Sequence, residues 1–171
     1  MRKQLYLDIN NRLKTVQDAN GEQLFKHVDL WNRQVEFIEQ EAPFACPAVF
    51  IEFNPMSWRT QGNRVQDCDL TVRLHIVTER LDEVTGDSPT EEQALAFFDI
   101  INQAVAVLQG FSTSYMNGWM RTKSITNHDH EQYVDNVEEY TCNLRDVPAV
   151  KKGFVVAKPN LNIVVKGGCL Q

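Results

Sequence analysis

The sequence contains no run of about 18 apolar residues, so no membrane-spanning helix is expected. Its four cysteines, Cys46, Cys68, Cys142 and Cys169, stand far apart and form no C-x-x-C pair, which removes the usual zinc and dithiol signatures. The glycines are few and form neither a P-loop nor a G-x-G-x-x-G run, so no phosphate cradle is expected. Ser112, Ser114 and Ser124 lie outside any G-x-S-x-G context, and no cysteine neighbours a histidine in sequence. After Met1-Arg2-Lys3, Asp8 and Asn10 interrupt the apolar residues, so no secretory signal is expected and the thiols are read as reduced. Together these absences argue against an enzyme: no catalytic residue, no cofactor and no metal ligand is assigned.

What is present is ordinary globular composition. The chain has 171 residues, 43% hydrophobic and 23% charged, which argues against general disorder and is enough for one domain with a sizeable core. The net charge of −6 is unevenly spread: +3 over residues 1–16, where Arg2, Lys3, Arg12 and Lys14 face only Asp8, +4 over residues 147–171, and −13 between them. The basic C-terminal stretch carries Lys151, Lys152, Lys158 and Lys166 with no acid. Basic ends and an acidic body can attract each other within or between copies; solvated faces of either sign are the other reading. An acidic body argues against sequence-specific nucleic-acid binding.

Periodicity divides the chain into elements. Leu5, Ile9, Leu13 and Val16 stack on one helical face, with Asn20-Gly21 as the expected stop. Residues 24–31 are strand-like, and 33–41 read as a helical turn or loop. Residues 48–53 form a strand apolar on both faces, suited to a central position. Leu70, Val72, Leu74 and Ile76 alternate with Asp69, Thr71, Arg73 and His75, giving one core face and one polar face. Residues 58–63 are expected to pair with this strand as a hairpin. Asp67 and Asp69 fall on its polar face and are expected to be solvated.

Ser88-Pro89-Thr90-Glu91 is a capping box with proline at the first helical position. The helix it opens shows the seam Ala94, Phe98, Ile101, Val105 and Leu108, widened by Phe97 and Ala104, and Gly110 is expected at its C′ position. Residues 119–126 and 134–144 read as two strands joined through Asn127-His128-Asp129-His130. His128 and His130 could share a strand face, but two ligands do not make a metal site, and a solvated turn is the simpler reading. Trp31, Trp58 and Trp119 are read as packing residues rather than a ligand platform. Beyond Pro148, the runs Phe154-Val155-Val156 and Leu161-Asn162-Ile163-Val164-Val165 suggest an added hairpin or arm. The expected fold is α+β: a mainly antiparallel sheet with an N-terminal helix and one long central helix packed on one face. Residues 1–146 are the domain and 147–171 a basic C-terminal β-type arm.

The element order, with the stretches Pro47-Ala48-Val49-Phe50-Ile51-Glu52-Phe53, Leu70-Thr71-Val72-Arg73-Leu74-His75-Ile76-Val77 and Glu91-Glu92-Gln93-Ala94-Leu95-Ala96-Phe97-Phe98, resembles the tail-completion (tail terminator) proteins of tailed phages and prophages. The resemblance covers roughly residues 1–146 and implies a non-enzymatic structural role. Such proteins cap the tail tube as a homo-oligomeric, commonly hexameric, ring and offer a surface to the head connector. Implied partners are further copies, tail-tube protein and head-connector protein, with no membrane; implied locations are the host bacterial cytoplasm during assembly and then the virion tail. The residues expected at the contact between copies are Arg2, Lys3, Arg12, Lys151, Lys152 and Lys158 on the basic side, and Asp67, Asp69, Glu138 and Glu139 on the acidic side. A small intracellular protein-binding module or regulator, acting as monomer or dimer, is the competing reading, and a metal-dependent enzyme using His128 and His130 is a third.

Overall fold

A computed structural model describes residues 1–35, 44–62, 65–79, 91–127 and 133–146. Helix α1 (Arg2–Leu13) is followed by strands β1 (His27–Leu30), β2 (Ala48–Phe53), β3 (Trp58–Gly62) and β4 (Val65–Glu79). Helix α2 (Glu91–Leu108) and strands β5 (Met120–Asn127) and β6 (Tyr133–Asp146) complete it. The six strands make one sheet in the order β1-β2-β4-β6-β5, with β3 paired to the first part of β4 beside β2. All pairs are antiparallel except β1 with β2, so the α+β sheet is mixed and mostly antiparallel.

The helical stripe and the strand alternation meet in one core. Leu5, Ile9, Leu13 and Val16 pack with Val49 and Ile51 of β2, Leu70, Val72, Leu74 and Ile76 of β4, and Tyr140, Cys142 and Leu144 of β6. Ile101, Ala104 and Leu108 of α2 join the same cluster. The register explains the shared face, since Val49 sits opposite Ile76, Ile51 opposite Leu74, and Val72 opposite Tyr140. Cys68 and Cys142 are buried free thiols in this core, as small apolar residues.

Three expectations change. Helix α1 ends at Leu13, and Asn20-Gly21 belongs to a later turn in which Gly21 takes φ 79°; Val16 is buried beyond the helix end. The buried face of α2 runs through Ile101, Ala104 and Leu108 with Phe97 partly buried, so Phe98 points outward and is 49% exposed rather than core. The apolar arc of this helix is broad enough to permit either rotation, and packing beside α1 in the shared core selects the one centred on Ala104. Strand β4 runs for 15 residues, about twice the length of the alternating stretch, because its ladder with β6 continues from Gln66 to Glu79; its second face is also partly covered. Gly110 does take φ 75° just after α2. The capping box at 88–91, the acidic loop at 82–88, the His128-Asp129-His130 turn and the arm at 147–171 lie outside the described residues.

Candidate interaction surface

The face of the sheet away from the helices divides into two parts. At one end, Val35, Ala48, Phe50 and Val77 form a second small core with Trp31, Phe44, Cys46 and Tyr133 packed against it. Trp31 and Phe44 both meet the Phe50 ring edge-on, a favourable aromatic arrangement. His75 is buried beneath Trp31, which corrects its placement on a polar strand face. Its Nδ1 lies 2.9 Å from Asp135 and its Nε2 3.5 Å from Glu52. A histidine within the sheet is paired here because its opposite strands present carboxylates: Phe50 and Val137 are its direct partners, with Glu52 and Asp135 one pleat away on the same face.

The remainder of this face is a charged band whose members neutralise one another. Arg73 reaches Glu139 at 3.0 Å and Glu52 at 3.5 Å, and Glu139 chiefly holds the guanidinium protonated. Arg59 meets Asp69 at 2.7 Å, and that hydrogen bond, with a second from Asn143, holds the Asp69 carboxyl below its ordinary range. Arg145 covers Asp67 at 3.0 Å. Cross-strand opposition of unlike charges contributes little where both partners are exposed, as in Arg59–Asp69, whereas Asp67 and Glu139 are shielded by the arginines that cover them.

The acidic residues expected at a contact between copies therefore separate. Glu139 and Asp69 stay on the open band, each with an internal partner. Asp67 is only 7% exposed beneath Arg145, against the expectation of solvation. Glu138 is 3% exposed and faces the helix side, where Arg121 donates to it at 3.3 Å and Ser124 at 2.6 Å; burial removes it from any contact surface. Glu138 shares strand parity with Tyr140, Cys142 and Leu144, which is the sequence signal that points to this burial. On the basic side, Arg2 and Lys3 are exposed on α1. Arg12 is committed internally: it donates to the Val107 carbonyl at 2.9 Å and lies 4.0 Å from the Phe111 ring centroid, fixing the ends of the two helices together. Lys151, Lys152 and Lys158 lie outside the described residues.

Two features were not anticipated from sequence. Strand β5 is a sheet edge whose residues 120–126 are all exposed, including Met120 and Ile125. The outer side of α2 presents Leu95 and Phe98, 44% and 49% exposed. Trp119 is fully buried against Tyr140, and Trp58 and Trp31 pack at the margins of the two cores, so the three tryptophans form no common platform. Among the described residues no group of three or more His, Cys, Asp or Glu is arranged to hold a metal ion. No described helix is long and apolar enough to cross a membrane. No protein family matches this sequence, and no curated protein matches it either.

Proposed function

We propose that this chain is a non-enzymatic structural subunit of a phage or prophage tail, which caps the tail tube as a homo-oligomeric ring and joins it to the head connector. The stretches that carry the resemblance lie on β2, β4 and α2, the elements that build the main core. The observation that carries the reading furthest is the open sheet with two unlike margins. On one side is β5, exposed over residues 120–126; on the other are the short β1 and β3. A ring requires a heterologous contact, made by two different patches of each subunit. Unlike margins at opposite sides of one sheet supply such patches, with both described helices on one face and the basic sequence 147–171 following β6.

Internal neutralisation of Asp67, Asp69, Glu138 and Glu139 narrows the contact. The attraction between basic ends and acidic body must draw on other carboxylates. Inactivating the gene in the phage or prophage that encodes it tests the function. Tail tubes of unregulated length and unjoined heads are expected in micrographs of the lysate; normal virions would overturn the proposal.

A further inference from the structure

We infer that the exposed stripe of α2 is the docking surface for residues 147–171 of a neighbouring copy, an inference that deepens the ring reading and rests on it. Leu95, Phe98, Asp99 and Asn102 follow at three- and four-residue spacing, all exposed, on the side opposite Ile101, Ala104 and Leu108. Two large apolar side chains thus lie beside a carboxylate on a helix surface. Across Glu91–Leu108 the helix carries Glu91, Glu92 and Asp99 and no basic residue.

The sequence after β6 is its chemical complement. Residues 147–171 carry Lys151, Lys152, Lys158 and Lys166 without an acid, and Phe154-Val155-Val156 and Leu161-Asn162-Ile163-Val164-Val165 stand between those lysines. Lysines flanking apolar runs match the exposed Asp99 beside Leu95 and Phe98. Opposite charge steers the encounter and sets register, while apolar burial supplies affinity. The edge of β5 is the poorer seat for this segment. Arg121 and Lys123 are exposed there and would repel its lysines, and the register shift between those two residues blunts the edge for pairing.

The ring reading, in which a segment beyond the sheet links copies, is what favours a neighbour over the same chain. Strand β6 ends at Asp146, opposite Gln66 at the start of β4. The chain passes towards α2 from the other end of β4, where Glu79 pairs with Tyr133. The last turn of α2 comes back to the region of Trp119, where Gly110 donates to the Trp119 carbonyl at 2.8 Å. The segment therefore begins near the last turn of its own α2, and its 25 residues are long enough to reach either helix, so the isotope experiment decides between them.

Full-length protein in unlabelled and heavy-isotope forms, mixed and treated with a carbodiimide that condenses carboxylates with lysine amines, tests this. Peptides joining Glu91, Glu92 or Asp99 to Lys151, Lys152, Lys158 or Lys166 across the two isotope forms are expected. The variant Leu95→Ser with Phe98→Ser, exposed positions that leave the core intact by circular dichroism, should reduce their yield about tenfold, as loss of a modest apolar contact does. Links confined to one isotope form, or lysines linked only to other acids, would overturn the inference. Light scattering on the same samples separates the two readings. A ring-sized particle without these links overturns the docking alone; a monomer without them overturns both.

Discussion

The indole of Trp31 lies flat on the imidazole of His75, with ring centroids 3.7 Å apart and planes inclined by 5°. This contact joins the segment after β1 to the middle of β4 and closes the small second core. Trp31→Ala should cost about 2 kcal/mol in urea denaturation, below the full cost of a core aromatic because the ring is only partly buried. Trp31→Phe, which retains a stacking ring, should lose less than half of that. Equal losses in the two variants would show that stacking on His75 contributes nothing.

Truncating Phe98 should leave stability within about 0.5 kcal/mol of the parent, as exposed surface positions do. Truncating the fully buried Phe25 should cost about 3–5 kcal/mol. Chemical denaturation of both variants checks the rotation of α2; a large loss at Phe98 would place that ring back in the core.

The Arg121–Glu138 pair should respond asymmetrically. Glu138 is buried while Arg121 is more than a third exposed, so the carboxylate depends on its partner more than the guanidinium does. Arg121→Ala strands a buried charge with Ser124 as its remaining donor and should cost about 3 kcal/mol. Glu138→Gln keeps an acceptor for Ser124 and lets Arg121 return to water, so it should cost about 1 kcal/mol. The reverse order in thermal or urea melts would contradict the burial assigned to Glu138.

Alkaline pH should destabilise the fold through its thiols. Burial, with the neighbouring Cys68 adding to it, pushes the Cys142 thiol up to about 12 from an ordinary value of 9.0. The folded state thus keeps a proton that the unfolded state releases, so stability is fully present below pH 9.0 and falls as pH rises towards about 12. The Cys142 contribution has a slope of about 1.4 kcal/mol per pH unit inside that window. Cys142→Ala should flatten the decline, as followed by denaturation at stepped pH; an unchanged decline would place its cause elsewhere.

Replacing Lys151 and Lys152 with Glu should spare folding and impair association. Identical melting curves with a shift to smaller particles in sedimentation would bear this out, and unaltered assembly would remove these lysines from the contact.

Much of this architecture is legible in the sequence, for local reasons. The stripe Leu5, Ile9, Leu13 and Val16 and the alternation Leu70, Val72, Leu74 and Ile76 report directly which side meets the core. Positions governed by distant chain segments are not legible in this way. Burial of His75 depends on Trp31 and Asp135, and burial of Asp67 on Arg145. The rotation of α2 is ambiguous because its apolar residues span a wide arc, and only packing into the shared core beside α1 chooses between Phe97 and Phe98. Surface contacts are less legible still. A charge in a sequence does not say whether its partner lies in the same chain, as Arg12 and Glu139 illustrate.

The most direct test of the structural role is the mass and shape of the full-length protein in solution, by light scattering over a wide concentration range with negative-stain micrographs of the same samples. Closed rings of several copies with a central opening are expected, forming at high concentration and weakened by salt. A strict monomer or dimer without rings at every concentration, with no ring formed when tail tubes are added, would contradict it.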